Sequence, residues 1–332
     1  MNNRFKKVLK YTLSAAVAAL LLYLAFRGMD WADFLEGLKT TGWGFILLSM
    51  AAGVGALVLR ALRWKSLLKP LNPEVSAINL WHSTNYGNIL NLAIPGLGEI
   101  LRCSKASSDN CRFDRTFGTI LVERAGDILA MVLLILMAVA CNRGTLGPFM
   151  QEYVVGPIRT RFDIPLWWVF PLLVLLLALS VALAFRFEDR NRACAATAGA
   201  LRGVWNGISS IHRMPHKIMF VVYTAGIWFM YILMFHFCVI AVPGLESLEF
   251  KDSLFFSAVG NMTAIIPTPG TLGPYHYLVG FSMSSICFGS AEILPMPLLC
   301  ATLAHGSHAV LILLLALSSL LCDLIRKNKG NV

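Results

Sequence analysis

The sequence is poor in charged residues, and this scarcity excludes an ordinary water-soluble domain. Asp, Glu, Lys and Arg make up 14% of the 332 residues and apolar residues 57%, whereas soluble domains average about 25% and 45–50%. Several apolar runs exceed the roughly 18 residues that suffice for a bilayer span. The composition therefore predicts an all-α polytopic membrane protein, with residues 1–332 forming a single integral domain of the cell (plasma or inner) membrane.

The chain also lacks the motifs of common enzymes. It contains no G-x-x-x-x-G-K-[ST] or G-x-S-x-G motif, so neither ATP-driven transport by this chain nor hydrolase chemistry is indicated. Its eight cysteines include no C-x-x-C pair, which favours free thiols. The net charge of +10 is attributed to short loops on one side of the membrane. We predict no enzymatic activity, no cofactor and no nucleic-acid partner.

Eight apolar segments fall into two sets of four. They are 8–26, 43–62, 77–103 and 117–141, followed by 166–185, 217–241, 252–288 and 296–322. The third segment of each set is interrupted by Gly-Asn, an apolar stretch, Pro and a Gly-rich turn, at 87–98 and 260–273. Pro removes a backbone donor and Gly permits positive φ, so neither segment should form one straight helix. Matched breaks predict an internal repeat, 1–141 and 166–322, with a binding site at the breaks. Chance similarity of two kinked spans is the alternative.

Loop charges predict the topology. If each interrupted segment enters and leaves on one side, each half has three crossings and the second half is inverted. With a cytoplasmic N-terminus, every inside stretch is then positive and the outside stretches, which include 27–39 as a loop, sum to a negative charge. The sequence therefore predicts six transmembrane helices plus two re-entrant helical hairpins in an inverted repeat, with both termini cytoplasmic. Residues 190–213 are predicted to lie along the cytoplasmic interface.

Ionisable residues within the apolar segments are candidates for a site, because they are costly in a bilayer unless they face a cavity or a partner. Glu99 follows the first break, and Glu123, Arg124 and Asp127 lie early in the fourth segment. Helical spacing puts Glu123 on the same face as Asp127 and lets Arg124 pair with Asp127. A salt-bridge cluster that only fastens this helix to the first hairpin and a role in transport are both open.

Two further groups of side chains could contact a ligand or could have a purely structural role. His305 and His308 are three residues apart, and His276 follows the second Gly-rich turn. No H-E-x-x-H spacing or added carboxylate supports zinc, so we predict polar lining of a cavity and no metal site. Arg60 and Arg63 end the second segment, where they are expected at the cytoplasmic surface, either anchoring the helix or contacting lipid phosphates.

The predicted substrate-binding residues combine the two breaks with the charged and imidazole side chains near them. They are Asn88, Pro95, Gly98, Glu99, Arg102, Glu123, Arg124, Asp127, Asn261, Pro269, Gly270, Gly273, His276, His305 and His308. No catalytic residue and no metal ligand is predicted.

Three blocks of the sequence resemble the lysylphosphatidylglycerol synthetase transmembrane-region family. They are 59–68, 91–102 with its P-x-x-G-E motif, and 118–127 with its E-R-x-x-D motif, and the turn at 267–273 fits the same family. The resemblance covers nearly the whole chain. It implies a membrane domain of the kind credited with flipping aminoacylated phosphatidylglycerol, standing alone without the soluble synthetase domain. The chain departs from the family at Gly96, where Arg is common, and at His276, where Glu is common.

These observations favour a flippase-like transporter that moves an anionic, aminoacylated or glycosylated lipid headgroup between leaflets. Its expected partners are membrane lipids of the phosphatidylglycerol or polyprenyl-phosphate type. Two alternatives stay open. One is a membrane-embedded enzyme that acts on lipid-linked phosphates with Glu99 or His276 as acid or base. The other is a non-catalytic partner of a separate lipid synthase.

The topology predicts that both loops flanking the first interrupted segment lie in the cytoplasm. Single cysteines introduced as Glu74→Cys and Asp109→Cys, in a cysteine-free background, should both react with an impermeant thiol reagent from the cytoplasmic side. Labelling of the two positions from opposite sides would mean that the segment crosses the membrane fully, and the inverted repeat would be wrong.

Overall fold

The computed structural model describes residues 3–107, 113–142, 144, 151, 166–195, 197–199, 201–202, 217–266 and 268–330. Helices are the only regular elements in these ranges. The principal ones are α1 (Asn3–Phe26), α2 (Trp31–Thr40), α3 (Trp43–Leu68), α4 (Ala77–Ala93), α5 (Leu97–Ala106), α6 (Phe113–Cys141), α7 (Leu166–Arg186), α8 (Lys217–Ala241), α9 (Phe250–Met262), α10 (Pro274–Phe288) and α11 (Pro295–Gly330). Short 3₁₀ turns, Thr263–Ile265 and Pro269–Thr271, connect α9 to α10.

All eight predicted apolar segments coincide with helices, so the all-α prediction is confirmed. Among the described residues, α3, α6, α8 and α11 are long and apolar enough to cross a membrane, and α1 with α2 gives a fifth candidate if that bent pair is one span. Of the predicted interfacial segment 190–213, residues 196, 200 and 203–213 lie outside the described residues, as do Cys111 and Pro267. The other seven cysteines are free thiols.

The prediction of a loop at 27–39 is wrong, because α2 occupies most of that stretch at 89° to α1. Asp30 begins the helix: its Oδ1 accepts hydrogen bonds from the backbone N–H groups of Ala32 (2.8 Å) and Asp33 (3.3 Å), which satisfies donors left free at a helix start. The helix α2 packs on α11, and Gly37 lies close to Met296. Helix α2 was not predicted because a ten-residue helix of mixed polarity contains no apolar run long enough to be recognised.

The first predicted break is present between α4 and α5, which pack against each other as a helical hairpin. Gly96 adopts a left-handed φ of 85° just after Pro95. The Asn91 Oδ1 atom accepts hydrogen bonds from the backbone N–H groups of Gly96 (3.2 Å) and Gly98 (2.8 Å). A Cβ atom on Gly98 would collide with the Gly87 carbonyl oxygen. The hairpin therefore depends on two glycines where its helices cross.

The second predicted break is present between α9 and α10. Gly270 (φ 56°) and Gly273 (φ 88°) take the left-handed conformations that the turn requires. The turn reaches the end of α4, where a Cβ atom on Gly270 would lie 3.3 Å from Leu92 Cδ2 and 3.4 Å from its carbonyl oxygen. The two breaks, distant in sequence, therefore contact each other.

The two sets of helices pack in a reciprocal pattern. The second helices of both sets, α3 and α8, lie side by side, and Ser49 Oγ donates a hydrogen bond to the Met234 carbonyl oxygen (2.8 Å). The last helix of each set packs on the first arm of the other set's broken segment: α6 on α9, and α11 on α4. The two breaks therefore lie in the interior, where the two sets of helices meet.

The crossing of α4 and α5 predicts that even a methyl group at Gly98 is destabilising. Gly98→Ala should lower the melting temperature and the folded yield, because the obstructing atom belongs to the backbone and overpacking costs about 1–3 kcal/mol. Gly118→Ala in α6 is the matched control, since a Cβ atom there meets nothing within 4 Å. Thermal unfolding of the purified protein in mild detergent tests this, and equal stability of the two variants would contradict the close crossing.

Candidate functional site

Three arginines and three carboxylates form a closed ring of ion pairs that joins α3, α5 and α6. In order, the pairs are Glu99–Arg102 (3.0 Å), Arg102–Glu123 (2.9 Å), Glu123–Arg63 (3.5 Å), Arg63–Asp127 (2.7 Å), Asp127–Arg124 (3.8 Å) and Arg124–Glu99. Positive and negative groups alternate, so the formal charge of the ring is zero. Arg63 also donates to Thr224 Oγ1 of α8 (3.1 Å), which ties the ring to the second half.

Half of this charge ring is fully buried. The side chains of Arg63, Arg102 and Glu123 are at most 1% exposed, and Arg102 lies over the Trp64 ring at 4.3 Å from its centroid. The Trp64 Nε1 atom in turn donates to Thr119 Oγ1 (2.9 Å). Buried charges are tolerated only when they are paired, so these residues must pack together for the fold to form.

The prediction that Arg63 reaches the cytoplasmic surface is wrong. The helix α3 continues to Leu68, so both arginines lie inside it, and Arg63 is 0% exposed. The signal that sequence reasoning missed is that Glu99, Glu123 and Asp127, largely buried among apolar helices, need cations from other helices as well as from their own.

A cavity of about 980 Å³ lies beside the charge ring, between the two halves. Nine predicted site residues line it: Asn88, Pro95, Glu99, Arg124, Asp127, Asn261, Gly270, His305 and His308. The first three come from the first hairpin, the next two from α6 and the rest from the second half. The structure therefore brings both breaks and the exposed side of the charge ring to one space.

Six predicted site residues do not line this cavity: Gly98, Arg102, Glu123, Pro269, Gly273 and His276. Arg102 and Glu123 form the buried side of the charge ring, and Gly98 lies at the helix crossing. Gly273 packs against the α1 backbone, where a Cβ atom would collide with the Ala18 carbonyl oxygen. His276 is buried behind His305, with the two ring centroids 5.0 Å apart. These six residues therefore lie behind the wall of this cavity or beside it, and their predicted contact with a substrate stays a prediction.

His305 holds the second break at the cavity wall. Its Nε2 atom is 2.7 Å from the Gly270 carbonyl oxygen. A carbonyl oxygen can only accept a hydrogen bond, so the Nε2–H group is the donor. The hydrogen bond joins α11 to the turn that contains left-handed Gly270. Among the described residues, no three His, Cys, Asp or Glu side chains are grouped so that they could hold a metal ion.

Several residues that line the cavity were not among the predicted site residues, including Arg60, Asn91 and Trp228. Arg60 Nε, Asn88 Nδ2, Trp228 Nε1, Thr268 Oγ1 and His308 Nδ1 belong to cavity-lining residues and are buried polar atoms without a hydrogen-bond partner in the described structure. Buried polar groups are normally satisfied, and nine further atoms of this kind belong to described residues that do not line the cavity.

Long apolar helices that enclose a charged cavity define an integral membrane protein. The chain belongs to the family described as the lysylphosphatidylglycerol synthase TM region, whose family model matches residues 11–316. It is similar to a UPF0104 membrane protein of Pyrococcus horikoshii, with 28% identity over 99 residues that cover 28% of this chain and 30% of that protein. The match thus spans less than a third of this relative's length. No solved structure matches the chain.

The charge ring predicts strong coupling between Arg102 and Glu123. Arg102→Met leaves an excess buried carboxylate and should cost about 3–5 kcal/mol, whereas Arg102→Met combined with Glu123→Met leaves two cations and two carboxylates in alternation. The double variant should therefore unfold closer to the wild-type melting temperature than the sum of the two single effects predicts. Additive single effects would show that the ring is not an energetic unit.

The matched control is the exposed pair Glu36–Lys39 on α2, whose charged atoms are 3.7 Å apart. Glu36→Met, Lys39→Met and their combination should each change the melting temperature little, because exposed ion pairs contribute about 0–1 kcal/mol. Strong coupling at this pair would indicate that the assay responds to charge removal in general.

Proposed function

We propose that the protein moves a lipid headgroup between the two leaflets without altering it chemically, while the acyl chains stay in the membrane. The observation that carries the proposal is the cavity where the breaks of both halves meet beside the charge ring. A charged headgroup cannot cross about 30 Å of hydrocarbon unaided, since it would lose its water without gaining a partner. The cavity offers such partners within a bundle of apolar helices.

One side of the cavity suits acyl chains. Four apolar lining residues are exposed rather than buried: Ile100 of α5, Leu121 and Ile128 of α6, and Ile265 after α9. A headgroup in the cavity therefore has an apolar exit for its chains at this side, which we name the lateral face. This arrangement favours a lipid over a water-soluble substrate of similar charge.

The packing of the halves supports the repeat in this proposal, in which six crossings and two re-entrant hairpins form an inverted pair with both termini in the cytoplasm. The reciprocal contacts of α6 with α9 and of α11 with α4 are those expected of repeats related by a twofold axis. The charge ring holds α3, the first hairpin and α6 together. Rocking of this rigid first half against the second would then expose the cavity alternately to each side.

Two observations favour transport over the enzyme alternative. Glu99, a candidate acid or base, is already paired with both Arg102 and Arg124. His276, the other candidate, does not line the cavity. Both placements are less suited to proton exchange with a substrate, and this supports transport over a membrane-embedded enzyme.

Reconstitution into liposomes tests the proposal. The protein should speed the movement of fluorescent phosphatidylglycerol to the outer leaflet, measured with a membrane-impermeant quencher, and mass spectrometry should find the lipid unchanged. Movement no faster than in empty liposomes for phosphatidylglycerol, aminoacylated lipids and polyprenyl phosphates would contradict it. A chemically altered lipid would assign an enzyme instead.

The lateral face supplies a matched pair of variants on one helix. Leu121→Trp adds bulk where α6 both lines the cavity and is exposed, and we expect it to slow lipid movement at least several-fold. Leu133→Trp adds the same ring at an exposed α6 position away from the cavity and should leave the rate unchanged. Equal rates for both variants would contradict acyl-chain passage at the lateral face.

A further inference from the structure

Arg60 differs from the other arginines of the site because it has no ion pair among the described residues. It lies in α3 one turn before Arg63 and lines the cavity. The carboxylates of Asp127, Glu123 and Glu99 attract it only from beyond ion-pair distance, since each of them is already paired with two ring arginines. Its Nε atom is buried and has no hydrogen-bond partner in the described structure. Arg60 is therefore a cation at the cavity wall without a matching anion.

The net charge of the site follows from the charged groups of the ring and of the cavity wall. The ring is neutral, arginine stays protonated in proteins, and burial disfavours the charged form of an imidazole. With Arg60 the described cavity and its ring therefore carry one excess positive charge. An uncompensated charge among membrane helices is costly, so a ligand with one negative charge would be stabilised there.

Unpartnered hydrogen-bond donors lie with Arg60 on the same cavity. The Asn88 Nδ2 atom on α4 and the Trp228 Nε1 atom on α8 can only donate, and both are buried without a partner. The two non-bridging oxygens of a phosphodiester can only accept and share one negative charge. Arginine binds such a pair of oxygens with two parallel hydrogen bonds. The donor set and the charge therefore both fit a phosphodiester.

Among the described residues, the same site offers no free carboxylate to a cationic headgroup. The two carboxylates that line the cavity, Glu99 and Asp127, are each held by two arginines. An ammonium group would have to displace one of these arginines or remain without a counterion. A phosphomonoester, which can carry a second negative charge, would likewise exceed the single charge that Arg60 balances.

We propose that Arg60, with Asn88 and Trp228, binds the phosphate of a monoanionic phosphodiester lipid of the phosphatidylglycerol type, and that the site selects against aminoacylated and phosphomonoester lipids. The substrate class rests on the proposed function, because only a lipid-handling cavity would receive this headgroup. Arg60 is thus a specificity-determining residue outside the two breaks.

Lipid binding to the purified full chain tests the assignment. Native mass spectrometry in mild detergent, with phosphatidylglycerol, lysyl-phosphatidylglycerol and phosphatidic acid added separately, should find phosphatidylglycerol bound most tightly. Tighter binding of the lysylated lipid or of phosphatidic acid would overturn the proposed selectivity. Inorganic phosphate is the further probe: if it raises the melting temperature as much as phosphatidylglycerol does, the site takes free phosphate and the lipid assignment is wrong.

Two variants test the residues. Arg60→Gln should weaken phosphatidylglycerol binding at least about tenfold, as expected for the loss of a hydrogen bond to a charged group, and Arg60→Lys should weaken it less. Trp228→Phe keeps an aromatic ring but removes the donor, and should weaken binding by a smaller factor. Lys39→Gln, which removes an exposed charge on α2, is the control and should bind as wild type does. Unchanged binding in well-folded Arg60→Gln and Trp228→Phe would overturn the site.

The outcomes separate this inference from the proposed function. Selective, Arg60-dependent binding without any lipid movement in liposomes would leave the phosphate site standing and reject the transporter. Lipid movement that keeps its rate and selectivity in Arg60→Gln would leave the transporter standing and reject Arg60 as its phosphate-binding residue.

Discussion

The structure depends on the requirement that charges buried among membrane helices be paired. Glu123 is 0% exposed and lies in the middle of an apolar bundle, so it needs cations from other helices. Arg63 and Arg102 meet that need from α3 and α5, and their Nη1 atoms pair with Asp127 and Glu99, respectively. The closed ring that results fixes how α3, the first hairpin and α6 pack. Because the ring is complete in itself, Arg60 is left as the cation available to a ligand.

The two breaks are held by different means although their sequence patterns match. In the first half the Asn91 side chain satisfies backbone donors at the start of α5, and two glycines allow the hairpin arms to touch. In the second half a histidine on another helix, His305, binds the carbonyl of the turn. The first break is thus stabilised from within its own hairpin, whereas the second depends on α11. Movement of α11 would therefore change the second break more directly than the first.

Apolar periodicity and the Gly/Pro pattern were sufficient to predict the helices and both breaks, because these depend on local chemistry. The position of Arg63 was not predictable in the same way. At the end of an apolar run an arginine that anchors a helix and one that pairs inside the protein look alike, and only the tertiary partners on α6 distinguish them. The same limit applies to His276: its place near a break was correct, but packing of Phe26 and His305 around it separates it from the cavity. Helix α2 was not predicted because its apolar face is too short to be recognised in the sequence.

The account holds that a lipid phosphate lies between the two breaks, against Arg60. An experimental structure of the protein in a phosphatidylglycerol-containing nanodisc tests this most directly. We predict density for a phosphate within hydrogen-bond distance of the Arg60 guanidinium, with acyl chains leaving through the lateral face beside Leu121 and Ile265. A cavity filled only by acyl chains, or an Arg60 side chain paired with a carboxylate of the protein, would contradict the account.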